Sequence, residues 1–207
     1  MNKNLELDGM KHLEAIEEGI NNGSSYRDIV RKVYLTYPTH AFIDDEETQY
    51  EILHEISKFF AIPINSVQVT GSGKLGRSLH KERDFDRKIS DLDVSIINRD
   101  LFVKYMEIVF DVTDGHRDGS KFPMDADKGG SVKESYLAYL NKGMFRLDMM
   151  PTCKQRAEVR SFFTKLSTTY SSKFKSINAG IYLSDCFFEV KQRSAISTHA
   201  TILKKVK

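Results

Sequence analysis

The residues best suited to chemistry are two aspartates in the segment Asp91-Leu92-Asp93-Val94-Ser95-Ile96-Ile97. Side chains alternate between the two faces of a β-strand, so a strand over 91–97 places Asp91 and Asp93 on one face. Two neighbouring carboxylates repel each other unless a cation neutralises them. Magnesium is the expected cation, because it prefers oxygen ligands and is commonly shared between carboxylates and the phosphates of a nucleotide.

A second motif, Gly71-Ser72-Gly73, predicts a complementary phosphate site. It follows the β-branched run 67–70, which is typical of a strand that ends at a glycine turn and is followed by a helix. Small residues allow a phosphate to approach the backbone, and free N–H groups at a helix start attract an anion. Lys74 and Arg77 follow directly. Their charge suits them to phosphate, although such residues are often simply solvated.

This combination resembles the DNA polymerase β-like nucleotidyltransferase superfamily, which carries a Gly-Ser turn followed by a strand with Asp, a hydrophobic residue and Asp. The matching residues of this chain are Gly71, Ser72, Asp91 and Asp93, with Ser90 before the aspartate pair. The resemblance covers about half of the chain and is closest to the small members of the superfamily. It implies an α+β class with the polymerase β-like fold, in which a short mixed β-sheet is flanked by helices.

The superfamily also has a third acidic residue on a later strand. In the apolar, β-compatible segment 144–151 the one acid is Asp148, which we expect to be the third metal ligand. An alternative interpretation pairs Asp148 with Arg146 or makes it a cap of the following turn.

The resemblance implies transfer of a nucleoside monophosphate from a nucleoside triphosphate to a hydroxyl acceptor, with release of pyrophosphate. Two Mg²⁺ or Mn²⁺ ions would be held by the catalytic carboxylates Asp91, Asp93 and Asp148. The acceptor stays open between protein, tRNA or other RNA, and a small molecule. A toxin–antitoxin or phage-defence setting with a cognate partner protein is compatible with the resemblance. The residues predicted to bind the nucleotide and its phosphates are Gly71, Ser72, Lys74, Arg77 and Lys191.

Two alternative functions stay open. One is a catalytically inactive nucleotidyltransferase fold that serves as a nucleotide-binding or RNA-binding regulatory module, although such a module has no use for clustered carboxylates. The other is a cyclic or linear oligonucleotide synthase, for which a chain of 207 residues leaves little room for a large helical lobe. Metal dependence separates the enzyme from the binding module.

Hydrophobic periodicity predicts three segments that position these residues. Residues 1–62 form an N-terminal helical annex, residues 63–170 the catalytic core, and residues 171–207 a C-terminal strand and helix packing on that core. The acid-rich run 44–47 is interpreted as the first turn of a helix rather than as a metal site, because a helix N-terminus favours negative charge.

Two loops are expected near the site. Residues 80–88 carry charges of both signs and are interpreted as a flexible loop that borders the cleft. Residues 113–130 are rich in glycine, and His116, Arg117 and Lys121 within them are candidates for phosphate contacts.

Composition limits the remaining options. The chain has 31 basic and 29 acidic residues, and a net charge of +2 does not by itself demand a nucleic-acid partner. Cys153 and Cys186 lack the spacing of a metal site and are expected to be reduced. No apolar run approaches the length of a membrane span and the first residues are polar, so a cytoplasmic protein without membrane contact is predicted.

Overall fold

The computed structural model of the chain describes residues 3–125 and 129–206, with side chains for 11–125 and 129–205. The helices are α1 (Lys3–Asn21), α2 (Tyr26–Val30), α3 (Glu46–Phe60), α4 (Gly71–Leu75), α5 (Arg99–Val112), α6 (Lys133–Leu140), α7 (Lys154–Thr169) and α8 (Asp185–Val206). The strands are β1 (Val67–Thr70), β2 (Arg77–Ser78), β3 (Arg83–Asp84), β4 (Leu92–Ile97), β5 (Met144–Arg146) and β6 (Ile177–Tyr182). A π-helical segment spans Arg31–Thr36, and 3₁₀ turns span His40–Phe42, Ile64–Ser66 and Leu147–Met149.

The main sheet has the strand order β1-β4-β6-β5. Strand β1 is antiparallel to β4, β4 is parallel to β6, and β5 is antiparallel to β6. Helices flank this small mixed sheet, so the predicted α+β class is confirmed. Because of these directions, the ends of β1 and β5 meet the beginnings of β4 and β6 at one edge of the sheet.

Two of the predicted strand boundaries differ in the structure. The strand predicted from Asp91 begins at Leu92, so Asp91 lies just before β4. The strand predicted to carry Asp148 ends at Arg146, and Asp148 lies in the 3₁₀ turn that follows. Both aspartates therefore lie at the edge of the sheet, where side chains can reach solvent and ligands.

Two hydrophobic clusters enclose the sheet. Ile181 belongs to one cluster and its neighbour Tyr182 to the other, as expected for side chains on opposite faces of one strand. The first cluster packs helices α3, α5 and α7 on the sheet, and the second packs α1, α2 and α8. Both clusters include residues from the segment 1–62, and β6 from the segment 171–207 lies between β4 and β5. The division into three segments stays a prediction.

The N-terminal helices are also joined to α8 by charge. The Glu189 side chain is only 4% exposed. It forms ion pairs with Arg27, whose Nε lies 3.0 Å from Oε2, and with Arg31, whose Nε lies 2.6 Å from Oε1. A buried carboxylate needs such partners, because an unpaired charge in the interior is costly. At the start of α2, Ser25 caps the helix, since Asp28 N donates to Ser25 Oγ at 3.2 Å.

One of the two predicted loops contains regular structure in part of its length. Strands β2 and β3 pair as a short hairpin that includes residues 83–84 of the predicted loop 80–88. In the predicted loop 113–130, residues 126–128 lie outside the described residues.

Cys153 and Cys186 are both free thiols. Over the described residues, every helix is too short or too polar to cross a membrane.

Candidate functional site

A cleft of about 1200 Å³ includes the edge where β1 and β5 end and β4 and β6 begin. Asp91, Asp93 and Asp148 all line it, together with Gly71 and Ser72. The α4 turn, the β2–β3 hairpin, α7 and α8 contribute its walls. The sheet edge thus brings the two predicted motifs and the predicted third acid into one cleft.

Gly71 lies directly against Asp93. In the β1–β4 ladder Thr70 pairs with Asp93, so the next residue of the chain turns past this carboxylate. Gly71 has φ +64°, and a Cβ atom at this position would lie 2.7 Å from Asp93 Oδ2. A side chain here would be strained by the left-handed backbone and would also displace the carboxylate. The predicted phosphate turn and the predicted metal ligand are therefore in contact.

Strand β6 holds Asp91 in place. Ser176, the residue before β6, donates from Oγ to Asp91 Oδ1 at 2.7 Å. Asn178 in turn donates from Nδ2 to Ser176 Oγ at 2.8 Å, and it pairs with Asp93 in the β4–β6 ladder. Sequence reasoning missed Ser176 and Asn178, because their positions depend on the pairing of β4 with β6, in which Asp93 lies opposite a residue 85 positions later in the chain.

The environment raises the pKa of the Asp93 carboxyl. Although Asp93 keeps solvent contact, the surrounding protein reduces its hydration, and this is the largest cause of the raised pKa. Repulsion from Asp91 acts in the same direction, while the positive charges of Arg146 and Lys81 lower the pKa. A cation bound between the two carboxylates would offset the lost hydration and the repulsion.

Asp148 reaches the cleft but is bound by Arg146. The Arg146 guanidinium donates from Nε to Asp148 Oδ1 at 2.8 Å and from Nη2 to Oδ2 at 2.6 Å. Arg146 also lies over the Tyr139 ring, with its Cζ atom 5.1 Å from the ring centre. Both oxygens of Asp148 are thus engaged in the pairing that the sequence left open as the alternative interpretation.

The carboxylates match a divalent cation only in part. Within residues 3–125 and 129–206, no three His, Cys, Asp or Glu side chains come close enough together to hold a metal ion. Asp91 and Asp93 supply two carboxylate ligands, which suits an ion whose other oxygen ligands come from a nucleotide and from water. Mg²⁺ is commonly bound in this way. Asp148 does not join them while it is paired with Arg146.

The predicted phosphate-binding residues divide between two environments. Ser72, Arg77 and Lys191 line the cleft, with Arg77 paired to Asp84 at 2.5 Å. Lys74 does not line it. Its side chain is buried, its Nζ donates to Tyr37 O at 2.6 Å, and burial lowers its pKa to about 8. The α4 turn directs Lys74 toward the N-terminal segment, where it anchors the chain after the π-helical segment.

Most of the basic residues that line the cleft were not assigned to the site by sequence reasoning, with Arg77 and Lys191 as the exceptions. Eight lysine and arginine residues line it against four aspartates, an excess of positive charge that the net charge of +2 for the whole chain conceals. Tertiary structure brings these basic residues together, although the four-residue spacing that places Arg156 and Arg160 on one face of α7 is visible in the sequence. The basic residues of this set are Arg77, Lys81, Arg83, Arg146, Arg156, Arg160, Lys175 and Lys191.

The candidates in the loop 113–130 lie elsewhere. Arg117 pairs with Asp114 at 2.8 Å, and Lys121 donates to the Val112 carbonyl at 2.7 Å. His116 is half-buried beside aromatic rings, and burial lowers its pKa. None of these three basic residues lines the large cleft.

No protein-family model matches the chain, and no solved structure matches it. Paired carboxylates, a glycine turn against one of them and a surplus of cations suit a polyphosphate substrate that arrives with a divalent cation.

Proposed function

We propose that this chain is a metal-dependent nucleotidyltransferase that moves a nucleoside monophosphate from a nucleoside triphosphate to a hydroxyl acceptor. The observation that carries the proposal is the contact between Gly71 and Asp93. It joins a turn suited to phosphate to a carboxylate suited to a cation, and a triphosphate needs both at adjacent positions. The surplus of positive charge around the cleft supports the same substrate class.

The residues of the cleft then have distinct tasks. Asp91 and Asp93 would hold a divalent ion, and the bound ion would neutralise part of the negative charge of the triphosphate. The turn at Gly71 and Ser72 receives phosphate oxygens, and Arg77 and Lys191 complement the charge of the leaving pyrophosphate. Little covalent chemistry is required of the protein, because phosphoryl transfer depends mainly on in-line positioning and charge stabilisation.

Asp148 acts in this proposal only after it leaves Arg146. Bound phosphate oxygens compete for the same guanidinium donors, since arginine forms bidentate bonds with phosphate as readily as with carboxylate. Substrate binding would therefore draw Arg146 toward the triphosphate and release Asp148. The freed carboxylate could accept the proton of the acceptor hydroxyl or join the metal ligands.

The test is the variant Asp93→Asn, which keeps the size of the side chain but removes its charge. Pyrophosphate release is measured with each nucleoside triphosphate, Mg²⁺ or Mn²⁺, and a cell extract that supplies acceptors. We expect a loss of more than about 100-fold, since even residues that only support a metal ligand contribute about 10- to 100-fold. Asp100→Asn is the matched control, because this exposed aspartate lies in the first turn of α5 and does not line the cleft. Full activity of Asp93→Asn would overturn the proposal.

A further inference from the structure

One wall of the cleft is formed by a single face of α7. The lining residues recur at intervals of three and four, which places them on one side of the helix. They extend over about 18 Å at the rise of an α-helix. We call this set the α7 stripe, and its polar and aromatic members are Arg156, Arg160, Phe163, Thr164, Ser167 and Thr168.

The α7 stripe combines positive charge with hydroxyl groups. Neither Arg156 nor Arg160 forms an ion pair with an acidic side chain of the described residues, whereas Lys154 on the same helix pairs with Glu158 at 3.7 Å. Neither Lys154 nor Glu158 lines the cleft. Lys175, which follows α7, adds a further positive charge to this side. Unpaired guanidinium groups beside hydroxyls suit a ligand with phosphates and sugar hydroxyls.

The size of the cleft leaves room for a second substrate. Pockets that enclose one small ligand usually have volumes of about 300 to 1,000 Å³. The cleft has about 1200 Å³, and the stripe is additional to the Gly71 turn and the aspartate pair. A triphosphate at Gly71 and Asp93 therefore leaves the α7 wall available for the acceptor.

We infer that the α7 stripe binds the acceptor and that this acceptor is a phosphate-bearing ribose. Free nucleotides and the 3′ end of RNA both present this chemistry. The inference rests on the proposed nucleotidyl transfer and names its acceptor class. Cationic small molecules are disfavoured by the two free arginines, and a protein hydroxyl brings no phosphate for them.

The reaction balances without a further reagent. An oxygen of a ribose hydroxyl bonds to the α-phosphorus of the triphosphate, and the bond between the α-phosphorus and the bridging oxygen breaks. Pyrophosphate leaves with that electron pair, while the hydroxyl proton passes to a carboxylate of the cleft and then to water. The product is a nucleotide or RNA extended by one nucleoside monophosphate.

The test measures acceptor binding separately from donor binding. A fluorescent RNA of ten nucleotides is titrated with the full chain by anisotropy, in the presence of Mn²⁺ and a saturating non-hydrolysable triphosphate. The variant is Arg156→Gln/Arg160→Gln. Its control is Lys154→Gln/Lys165→Gln, which removes the same charge from α7 at positions outside the cleft. Unlabelled nucleoside monophosphate and unlabelled RNA serve as competitors, which separates the two sources of ribose.

We expect the arginine variant to lose at least about tenfold in RNA affinity. The slope of log affinity against log salt should also fall by about 1.4, because each phosphate contact to a single strand contributes about 0.7. The control variant and binding of the triphosphate analogue should change less than about threefold. Equal RNA binding by wild type and the arginine variant would overturn the inference, as would an equal loss in the control. If wild type binds the analogue but neither acceptor, the acceptor inference alone fails; if it does not bind the analogue, the proposed transfer fails first.

Discussion

Gly71→Ala is the substitution whose effects follow most directly from the geometry of the site. Gly71 has φ +64°, and an added Cβ would lie 2.7 Å from Asp93 Oδ2 and 3.5 Å from Asp93 Cγ. The left-handed backbone costs an L-residue about 1 to 2 kcal/mol. The close contact is with the end of a side chain, which can rotate away at little further cost in stability. The carboxylate, however, then leaves the position in which it faces the cleft.

Stability and activity should therefore respond differently. For a chain of this length the backbone strain corresponds to a melting temperature lowered by roughly 2 to 8 °C. A catalytic group that moves by about 1 Å can cost about 100-fold in rate. Gly23→Ala provides the matched control, because Gly23 has φ +71° and an added Cβ would meet nothing within 4 Å.

The assay combines thermal unfolding, Mn²⁺ binding and pyrophosphate release on the two variants and wild type. Both variants should lose similar stability, but only Gly71→Ala should lose Mn²⁺ affinity and activity. If Gly71→Ala matched Gly23→Ala in all three measurements, the contact between Gly71 and Asp93 would have no role in function.

Three further predictions concern neighbouring residues. Ser176→Ala removes the donor to Asp91, so Mn²⁺ affinity by calorimetry should fall about 10- to 100-fold with little change in stability; unchanged affinity would contradict this role. Arg146→Gln releases Asp148 and removes a positive charge, so Mn²⁺ should bind several-fold more tightly in the absence of nucleotide. Unchanged Mn²⁺ affinity would mean that Asp148 does not contribute to the metal site. Burial lowers the pKa of Lys74 from 10.5 to about 8, so the folded protein binds fewer protons than the unfolded chain between these values and stability should rise with pH across that window. In urea unfolding at pH 7.5 and 10, Lys74→Met should show a smaller rise than wild type, and an equal rise would mean that Lys74 does not titrate in this way.

The local parts of the site could be predicted from the sequence. The strand over 67–70, the glycine turn that follows it and the strand with Asp93 are each encoded within a few residues. Alternation along β4 and the antiparallel partner β1 then suffice to bring Gly71 and Asp93 to one edge. Helix α3 begins at Glu46, within the acid-rich run 44–47 interpreted as the first turn of a helix.

The partners of the individual side chains in and around the site depend on long-range packing, which the local sequence pattern does not encode. Lys74 follows the glycine turn and carries the expected charge, yet the short α4 turn directs it to Tyr37 O. Asp148 has an arginine two residues earlier, and the turn after β5 lets the two side chains meet. Ser176 reaches Asp91 only because β6 inserts beside β4.

The central claim is that this cleft transfers nucleotides, and the most direct measurement follows the label of each α-³²P nucleoside triphosphate. Purified protein is incubated with Mg²⁺ or Mn²⁺ and with RNA, nucleotide or protein acceptors from a cell extract, beside the variant Asp91→Ala/Asp93→Ala. We predict metal-dependent label on RNA or on a nucleotide, which the double variant abolishes. Label that the double variant still transfers, or no label on any acceptor with any triphosphate and either metal, would contradict nucleotidyl transfer by this cleft.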